Sequence, residues 1–321
     1  MIGRMSSDAP HARGRTSRRA LLAAAGRVSG AAGIGLLSGC GIRIDGPRPD
    51  PQTSRPRQPV PDEQVLLTAF EAASRLARDA ATLTPATDLS RGLIAMHRAQ
   101  SLVLRDLLRG AGVPDEVVAA AVPAAPAPPT PAQLAAAEAT ALTATALDTL
   151  SGATTLHRPT LTAVAASRAA AATGLGSTVA WPASDALPGA GLVRLLDATR
   201  AVAYGFEIVA AHLADDARAA ALATLQQVRQ REGGLLSAAG SAAPPEPLGY
   251  GLPFPVRTAG EARRLATTIL TGLIARGLDP LTTLPTGSRA IGTLVRLQAE
   301  AVTLAAAWGV APTPFPGMTY P

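Results

Sequence analysis

The sequence contains no lysine, one cysteine and very few aromatic residues, which make up 3% of its 321 positions. A single cysteine excludes an internal disulfide framework and leaves no cysteine pair for a thiolate zinc site. The absence of lysine is interpreted as a compositional bias, because arginine and histidine take over every basic position. The chain is rich in alanine, which favours helices but fills a core with small side chains.

The formal charge of +6 is unevenly distributed along the chain. Residues 1–39 contain six arginines and one aspartate, so five of the six positive charges lie there. The remainder of the chain is nearly neutral. Because nucleic-acid binding requires clustered cations that replace counterions, the sequence predicts no nucleic-acid partner.

A basic pair and an apolar run occupy the start of the chain. Arg18 and Arg19 precede the weakly apolar residues 20–37, and a Leu-Ser-Gly-Cys motif ends at Cys40. This pattern resembles a twin-arginine export signal that ends in a lipoprotein cleavage box. The resemblance implies that residues 1–39 are removed, that Cys40 carries lipid, and that the mature protein lies on the extracytoplasmic face of the cell membrane.

A retained N-terminal anchor is the alternative interpretation of residues 20–37. A membrane-spanning helix needs roughly 20 predominantly apolar residues. This run is shorter, is broken by glycines and is interrupted by Arg27. These features favour a signal peptide that is removed.

Residues 40–61 contain six prolines, all between positions 47 and 61. Proline-rich segments are stiff and extended. The sequence therefore predicts a tether that holds the folded body away from the membrane.

From residue 62 onwards, apolar residues recur every three or four positions, which is the period of an α-helix. No stretch alternates with a period of two, so no sheet is expected. We predict an all-α protein of tandem antiparallel helical bundles, residues 62–174 and 190–321, separated by an irregular break. The predicted helices are 62–83, 88–108, 131–150, 155–173, 192–213, 215–232, 259–277 and 288–308.

Capping motifs mark several of these helix ends. Thr130 and Thr258 each begin a Thr-x-x-Gln or Thr-x-x-Glu capping box. We expect Asp215 or Asp216 to cap the sixth helix, and the two glycines at 233–234 to weaken its end.

Two segments in the second half resemble a known family. They are Leu-Gly-Tyr-Gly-Leu-Pro-Phe-Pro at 248–255, and Trp-Gly-Val-Ala-Pro at 308–312 with Phe-Pro-Gly at 315–317. Both resemble an uncharacterised ferritin-like domain family found in twin-arginine-exported bacterial lipoproteins. The resemblance covers about residues 190–321 and implies a ferritin-like four-helix bundle with no assigned activity.

A ferritin-like di-metal site takes a Glu from each of two helices and a Glu-x-x-His pair from each of the other two. No Glu-x-x-His sequence occurs in this body. Arg200 lies near the position where an acidic residue and a histidine are expected. We therefore predict no metal and no cofactor.

Four polar residues remain as candidates for a polar bundle interior: His97, Glu138, Tyr204 and Glu207. Glu138 is positioned to meet His97 inside the first bundle. Glu207 is expected either in the interior or, as a boundary residue, paired with an arginine such as Arg200.

His157 is expected at a helix start in solvent.

We predict that residues 250–255 form an ordered strap across the second bundle, with Phe254 and Trp308 buried as plugs. The rival interpretation is a mobile partner-binding loop with Phe254 exposed.

The first functional interpretation is a membrane-tethered, non-catalytic lipoprotein whose helical domain binds a protein or another envelope component. The second is a small-ligand or metal-handling bundle with a degraded ferritin-like site. The third is an enzyme that uses Glu207 or Glu138 as a lone base.

Overall fold

The structure, a computed structural model, describes residues 57–122 and 129–319. All regular secondary structure in these residues is helical. The α-helices are α1 (Glu63–Ala81), α2 (Asp88–Gly110), α3 (Asp115–Ala120), α4 (Pro131–Ala139), α5 (Ala144–Ser151), α6 (Arg158–Gly174), α7 (Gly189–Ala211), α8 (Asp215–Ala239), α9 (Ala259–Arg276) and α10 (Ala290–Ala307). The all-helical prediction is therefore confirmed for this part of the chain.

Local capping signals position several helix starts. The capping boxes predicted at Thr130 and Thr258 are both present, with each threonine side chain accepting from the backbone three residues on. In return, the side-chain oxygen of Gln133 or Glu261 accepts a hydrogen bond from the backbone N–H of the capping threonine. Such caps satisfy backbone N–H groups that have no partner inside the helix.

The prediction of a single helix over residues 131–150 is wrong, because the structure contains two helices there. A 3-10 turn at Thr140–Leu142 separates α4 from α5. The hydroxyl of Thr143 accepts from the backbone N–H of Ala146 and so caps a new helix start. The sequence also did not predict the short helix α3.

The two expectations for the ends of α8 are also wrong. Its N-cap is Ala214, which makes no side-chain capping bond, and Asp215 is the first helical residue. The helix continues through Gly233 and Gly234 to Ala239. Tertiary packing of Leu235 in the core overrides the weak helix propensity of the two glycines.

Helix α6 lies at the centre of the described fold. Thirteen of its seventeen residues are buried, so it is covered on nearly every side. It packs against α4 from the first half and against α10 from the second. The predicted break at 174–191 coincides with the irregular connection between α6 and α7, and the helices on its two sides share one continuous core. The division into two domains stays a prediction.

The second half contains the four long helices that the sequence predicts. Helix α7 packs against both α8 and α9, and α9 packs against α10. Helices α8 and α10 are bridged by side chains: Arg231 donates to the Leu297 carbonyl at 2.6 Å, and the Trp308 indole donates to the Thr224 hydroxyl at 3.1 Å. A groove lies between these two helices.

Helix α10 is, among the described residues, the one helix long and apolar enough to span a membrane by length and composition. Two thirds of it are buried among other helices. A buried core helix of a folded domain has the same properties.

Two glycines make room for one buried amide. Gln298 is fully buried and donates to the carbonyl oxygen of Ile274 at 2.9 Å. A Cβ on Gly277 would lie 1.5 Å from the Gln298 side-chain oxygen, and a Cβ on Gly317 would lie 3.0 Å from its nitrogen. The backbone of Gly277 has an ordinary helical φ of −61°. Space, not a left-handed conformation, therefore requires glycine at 277.

The segment 250–256 lies along the second bundle with alternate residues facing it. Leu252, Phe254 and Val256 are partly buried against the core, while the intervening residues are exposed. The hydroxyl of Tyr250 donates to Asp197 at 3.1 Å. Burial, followed by this bond to a carboxylate, raises the pKa of Tyr250 to about 12.

The two expected plugs are half-buried, not fully buried. Phe254 lies beneath the guanidinium of Arg264, whose central carbon is 4.5 Å from the ring centroid. Trp308 contacts Phe206 edge to face, with ring centroids 5.3 Å apart.

We expect Phe254→Ala to destabilise the protein by about 1.5–2.5 kcal/mol, roughly half the cost of truncating a fully buried phenylalanine. The melting temperature should fall by several degrees, as measured by circular dichroism. Leu248→Ala is the matched control, because Leu248 belongs to the same irregular connection and is fully exposed. An unchanged melting curve for Phe254→Ala would show that the segment is a mobile loop.

Candidate functional site

The residues of the predicted export and lipidation signal, Arg18, Arg19 and Cys40, lie outside the described residues. The end of the predicted tether is described. Arg57 there donates to the carboxylate of Glu63 in the first turn of α1.

The structure brings His97 on α2 and Glu138 on α4 into direct contact. His97 Nε2 lies 2.6 Å from Glu138 Oε1, and neither side chain exposes any surface. On the other side of the ring, His97 Nδ1 lies 2.9 Å from the Gln100 side-chain oxygen. The pair therefore belongs to a larger buried polar network.

Gln100 connects this network to two distant parts of the chain. Its side-chain nitrogen donates to the Ser167 hydroxyl at 2.7 Å and to the Pro314 carbonyl at 2.8 Å. These two acceptors orient the amide, so its oxygen faces His97 Nδ1, which must carry a hydrogen. The network thus ties α2 to α6 and to the C-terminal segment.

Arg168 on α6 supplies the positive charge that balances Glu138. Its Nε lies 3.4 Å from Glu138 Oε2, and it donates to the Ala137 carbonyl and to the Thr140 hydroxyl. Burial lowers the pKa of Arg168, while the neighbouring Glu138 opposes this effect. Glu138 on α4 is thus linked to α2 through His97 and to α6 through Arg168, in a cluster that is closed off from solvent.

The other two predicted interior residues lie elsewhere. Tyr204 is partly exposed, and its ring contacts Tyr250 with centroids 6.0 Å apart. Glu207 lies at the surface, with its side chain 48% exposed, and accepts a hydrogen bond from Arg229 on α8. Glu207 follows the buried Phe206 and so faces outward. Arg200 pairs instead with Glu232 at 3.3 Å.

The expectation that His157 lies in solvent is wrong. His157 is buried at the start of α6, with its Nδ1 2.9 Å from the carboxylate of Asp62. The same carboxylate accepts from the backbone and the hydroxyl of Thr154. Burial disfavours the charged form of Asp62, but the bonds from Thr154 and His157 outweigh it, so the pKa of Asp62 is lowered.

The lowered pKa of Asp62 predicts a pH-dependent stability. A carboxyl group with a depressed pKa stabilises the fold above its ordinary value of 3.8, and this contribution is lost as the pH falls through the folded-state pKa. We expect Asp62→Asn to cost about 1–3 kcal/mol near neutral pH, and expect the gap to the unsubstituted protein to close in acid. Urea unfolding at several pH values measures this.

The control for this titration is Asp185→Asn, because Asp185 is exposed. It should leave the pH dependence unchanged. A gap between the Asp62→Asn variant and the unsubstituted protein that stays constant down to about pH 2 would contradict the assignment, because that pH lies below the ordinary carboxyl range.

The groove between α8 and α10 has a volume of about 660 Å³, within the range of small-molecule sites. Its third side is formed by the connection between α6 and α7. Its lining combines apolar and polar side chains, including Trp181, Leu187, Leu192, Gln227, Gln230, Arg231, Leu235, Arg296, Glu300 and Leu304.

Arg231 is the most unusual residue of this lining. It is 93% buried, since 7% of its surface is exposed, yet no carboxylate of the described residues lies within 4.0 Å of it. Its Nη1 donates to the Leu297 carbonyl, while Nε and Nη2, which are closed to solvent, have no hydrogen-bond partner among the described residues. Burial lowers the pKa of Arg231 to about 10, so the side chain stays charged at neutral pH.

The carboxylate expected to balance Arg231 is engaged elsewhere. Glu300 lies on the groove wall, but its closest cation is Arg296, at 3.7 Å. Its side chain is 46% exposed. Burial raises the pKa of Glu300, and the two arginines oppose this effect. Of the described residues that line the groove, the charged ones supply one carboxyl group and two guanidinium groups.

Arg231 was not among the residues predicted from the sequence, although a signal was present. The buried stripe of α8 includes Ala221, Leu225, Val228 and Leu235, and Arg231 falls in register with it. An arginine inside an apolar stripe predicts a buried guanidinium. Which partner it meets depends on α10, more than sixty residues away in sequence.

No group of three or more histidine, cysteine, aspartate or glutamate side chains is placed to hold a metal ion in residues 57–122 and 129–319.

Comparison with known proteins relates the second half of the chain to one family. No curated protein and no solved structure matches the chain. Residues 191–320 match an uncharacterised family described as a domain of unknown function, DUF4439. This region contains α7–α10, except for the first residues of α7, and therefore both walls of the groove. The second half of the chain is thus similar to DUF4439 domains.

Proposed function

We propose that this chain is an exported lipoprotein, held on the extracytoplasmic face of the cell membrane by lipid on Cys40, whose helical body binds an envelope component without catalysing a reaction. The tethering rests on the basic pair Arg18-Arg19, the short apolar run and the Leu-Ser-Gly-Cys motif. The binding role rests on the groove between α8 and α10.

A binding role fits this groove better than a catalytic one. Acid–base and nucleophilic mechanisms require a nucleophile or base whose partners converge on a reacting atom. Among the described residues, the charged groups of the lining are Arg231, Arg296 and Glu300, and none of its side chains is a histidine or a cysteine. A groove of about 660 Å³ with a mixed apolar and polar lining is within the size range of small-molecule sites.

We further infer that α7–α10 form a ferritin-like four-helix bundle. In ferritin-like folds, one long crossover connects two helical hairpins. The chain between α7 and α8 is residues 212–214, whereas the connection from α8 to α9 spans residues 240–258. The long connection therefore joins the second of the four helices to the third, which supports the proposed bundle.

Cys40→Ser tests the tether. We expect the variant to leave the membrane fraction and to change its electrophoretic mobility, because a lipid anchor contributes about 0.8 kcal/mol for each buried methylene. Cell fractionation and labelling with a radioactive fatty acid measure both effects. A variant that is still cleaved before residue 40 and still partitions with membranes would refute lipid anchoring at Cys40.

Site-specific crosslinking in intact cells tests the binding role. A photoreactive residue at Ala238, which lines the groove, should capture a defined adduct, seen as a mass increase of the intact protein. Ala219 is the matched control, because it is an exposed alanine on the same helix outside the groove. Absence of any adduct specific to position 238 would exclude the groove as the binding site.

A further inference from the structure

We propose that a second groove, between α1, α5 and α6, binds a single-chain amphiphile whose headgroup carries one negative charge, with Arg75 holding that headgroup. A fatty acid is the simplest molecule of this class. The site goes beyond the proposed function, because it lies in the first half of the chain, outside the residues 191–320 that match DUF4439. Three features support it: the apolar length of the groove, the threonine hydroxyls on its walls and the open guanidinium of Arg75.

The second groove has a volume of about 470 Å³, which is within the range of small-molecule sites. Helix α1 forms one wall, α5 and the 3-10 turn before it form the other, and the buried face of α6 forms the floor. Helices α1 and α6 begin at the same end, because Asp62 before α1 bonds to Thr154 and His157 before α6. The lining residues of α1 extend from Gln64 to Arg75, about 16 Å along the helix axis.

An apolar surface runs along this length. The floor consists of the buried side chains Leu161, Val164 and Ala165. The walls add further apolar side chains, namely Val65, Ala69, Ala72, Ala141, Ala146 and Leu150. A hydrocarbon chain placed against these residues would gain free energy from the apolar surface removed from water.

Three threonines on the walls have no donor left for a ligand. The hydroxyls of Thr68, Thr140 and Thr149 each donate to a backbone carbonyl of their own segment. A hydroxyl has a single hydrogen to donate. The hydrogen bonds that hold a polar headgroup here therefore depend on the charged side chains of the lining.

Arg75 is the lining residue on α1 that lies farthest from the start of the helix, and its guanidinium is open to solvent. The side chain is half-buried and, among the described residues, it makes no hydrogen bond and has no carboxylate within 4.0 Å. None of its nitrogens is an unpaired atom closed to solvent, in contrast to Nε and Nη2 of Arg231. A ligand in the groove can therefore reach the donors of Arg75.

The charge of Arg75 lies close to that of Arg168, at the same end of the groove. Both residues line the groove. Burial is the main cause of the lowered pKa of Arg168, and repulsion from Arg75 adds to it. Arg168 has a counterion in Glu138, 3.4 Å away, whereas Arg75 has none at that distance. A negatively charged headgroup at this end would form charge-assisted hydrogen bonds with Arg75.

Two carboxylates of α1 limit the headgroup to one negative charge. Glu71 lines the groove one turn before Arg75, and Asp79 follows one turn after it. A single negative charge is balanced by Arg75. A dianion such as phosphate would leave an excess negative charge near these two carboxylates, which would be repelled.

Dodecanoate is the probe for this site, and dodecanol and dodecylamine are its comparisons. The Cys40→Ser protein with all 321 residues is used, because it has no cysteine to carry lipid and so needs no detergent. We expect dodecanoate to raise its melting temperature saturably, as a ligand that binds the folded state does. Dodecanol, which is uncharged, and dodecylamine, which is positively charged, should bind at least about tenfold more weakly by calorimetry.

Three variants locate the ligand. Arg75→Met should weaken dodecanoate binding roughly 10–100-fold, as expected from losing charge-assisted hydrogen bonds, and should leave the weaker binding of dodecanol unchanged. Arg98→Met is the matched control, because Arg98 is an exposed arginine of α2 that does not line the groove, and it should bind normally. Thr68→Trp should abolish the binding of both ligands, since an exposed lining residue is replaced by one that fills the groove.

The assignment is overturned if dodecanoate does not bind, if Arg75→Met binds it normally, or if dodecanol or dodecylamine binds as tightly. Binding that Thr68→Trp leaves unchanged would place the ligand outside the groove and would equally refute the assignment. The crosslinking at Ala238 tests the groove between α8 and α10, so failure of this second site is distinguishable from failure of the proposed binding role.

Discussion

Glu138→Ala is expected to destabilise the protein by about 3–5 kcal/mol, because it leaves the buried guanidinium of Arg168 without its carboxylate. It also removes the partner of His97 Nε2, which lies 2.6 Å from Glu138, and neither side chain exposes any surface. For a body of this size the melting temperature should fall by roughly 10 °C. Thermal unfolding followed by circular dichroism measures the loss.

Two variants bracket the result for Glu138. Glu138→Gln keeps an oxygen acceptor of the same shape and should cost less than the alanine variant. Glu207→Ala removes a carboxylate from an exposed pair with Arg229 and should change stability by no more than about 1 kcal/mol. If Glu138→Ala has the same melting temperature as the unsubstituted protein, the network does not hold α2, α4 and α6 together.

Gly277→Ala is expected to destabilise the protein by about 2–4 kcal/mol. The new methyl group would lie 1.5 Å from the side-chain oxygen of Gln298, which is fully buried and bounded on its other side by Gly317. Relief of this overlap requires either a backbone shift of α9 or loss of the hydrogen bond from Gln298 to the Ile274 carbonyl. Urea unfolding measures the free-energy change.

A double-mutant cycle checks the origin of this cost. Gly277→Ala combined with Gln298→Ala should be more stable than the sum of the single effects predicts, since the overlapping atoms are gone. Gly272→Ala is the control on the same helix, where no atom lies within 4 Å of a Cβ. It should stabilise the protein by about 0.5–1 kcal/mol. Additive effects at 277 and 298 would disprove the steric origin.

The fold class was predictable because it depends on interactions between neighbours in sequence. The three- and four-residue recurrence of apolar side chains specifies helices, and the capping boxes at Thr130 and Thr258 specify their starts. Local signals failed where packing opposed them. Helix α8 continues through two glycines because Leu235, which follows them, packs in the core. The hydroxyl of Thr143 caps a new helix within a segment that was predicted to be one helix.

The buried polar contacts of the candidate site region were much less predictable than the helices, because the residues that make them come from distant parts of the chain. The contact of His97 with Glu138 was anticipated, but the participation of Arg168 and of the Pro314 carbonyl was not. His157 looked like a surface residue because its partner, Asp62, is 95 positions earlier. Helical periodicity identifies the buried face of a helix without identifying what that face meets.

The sequence alone therefore determined the helical class of the described body, several helix starts and its near-neutral charge, and it contains the Leu-Ser-Gly-Cys motif at Cys40 on which the proposed tether rests. The tertiary structure decided which polar groups are buried and what they touch: the unpaired nitrogens of Arg231, and the space at Gly277 that Gln298 fills. The physical reason is the separation in sequence between the interacting residues. Backbone hydrogen bonds and helix caps join residues three or four positions apart, so the sequence reveals them directly. The faces of alanine-rich helices can pack against many different partners, so the partner is decided only when the whole core packs.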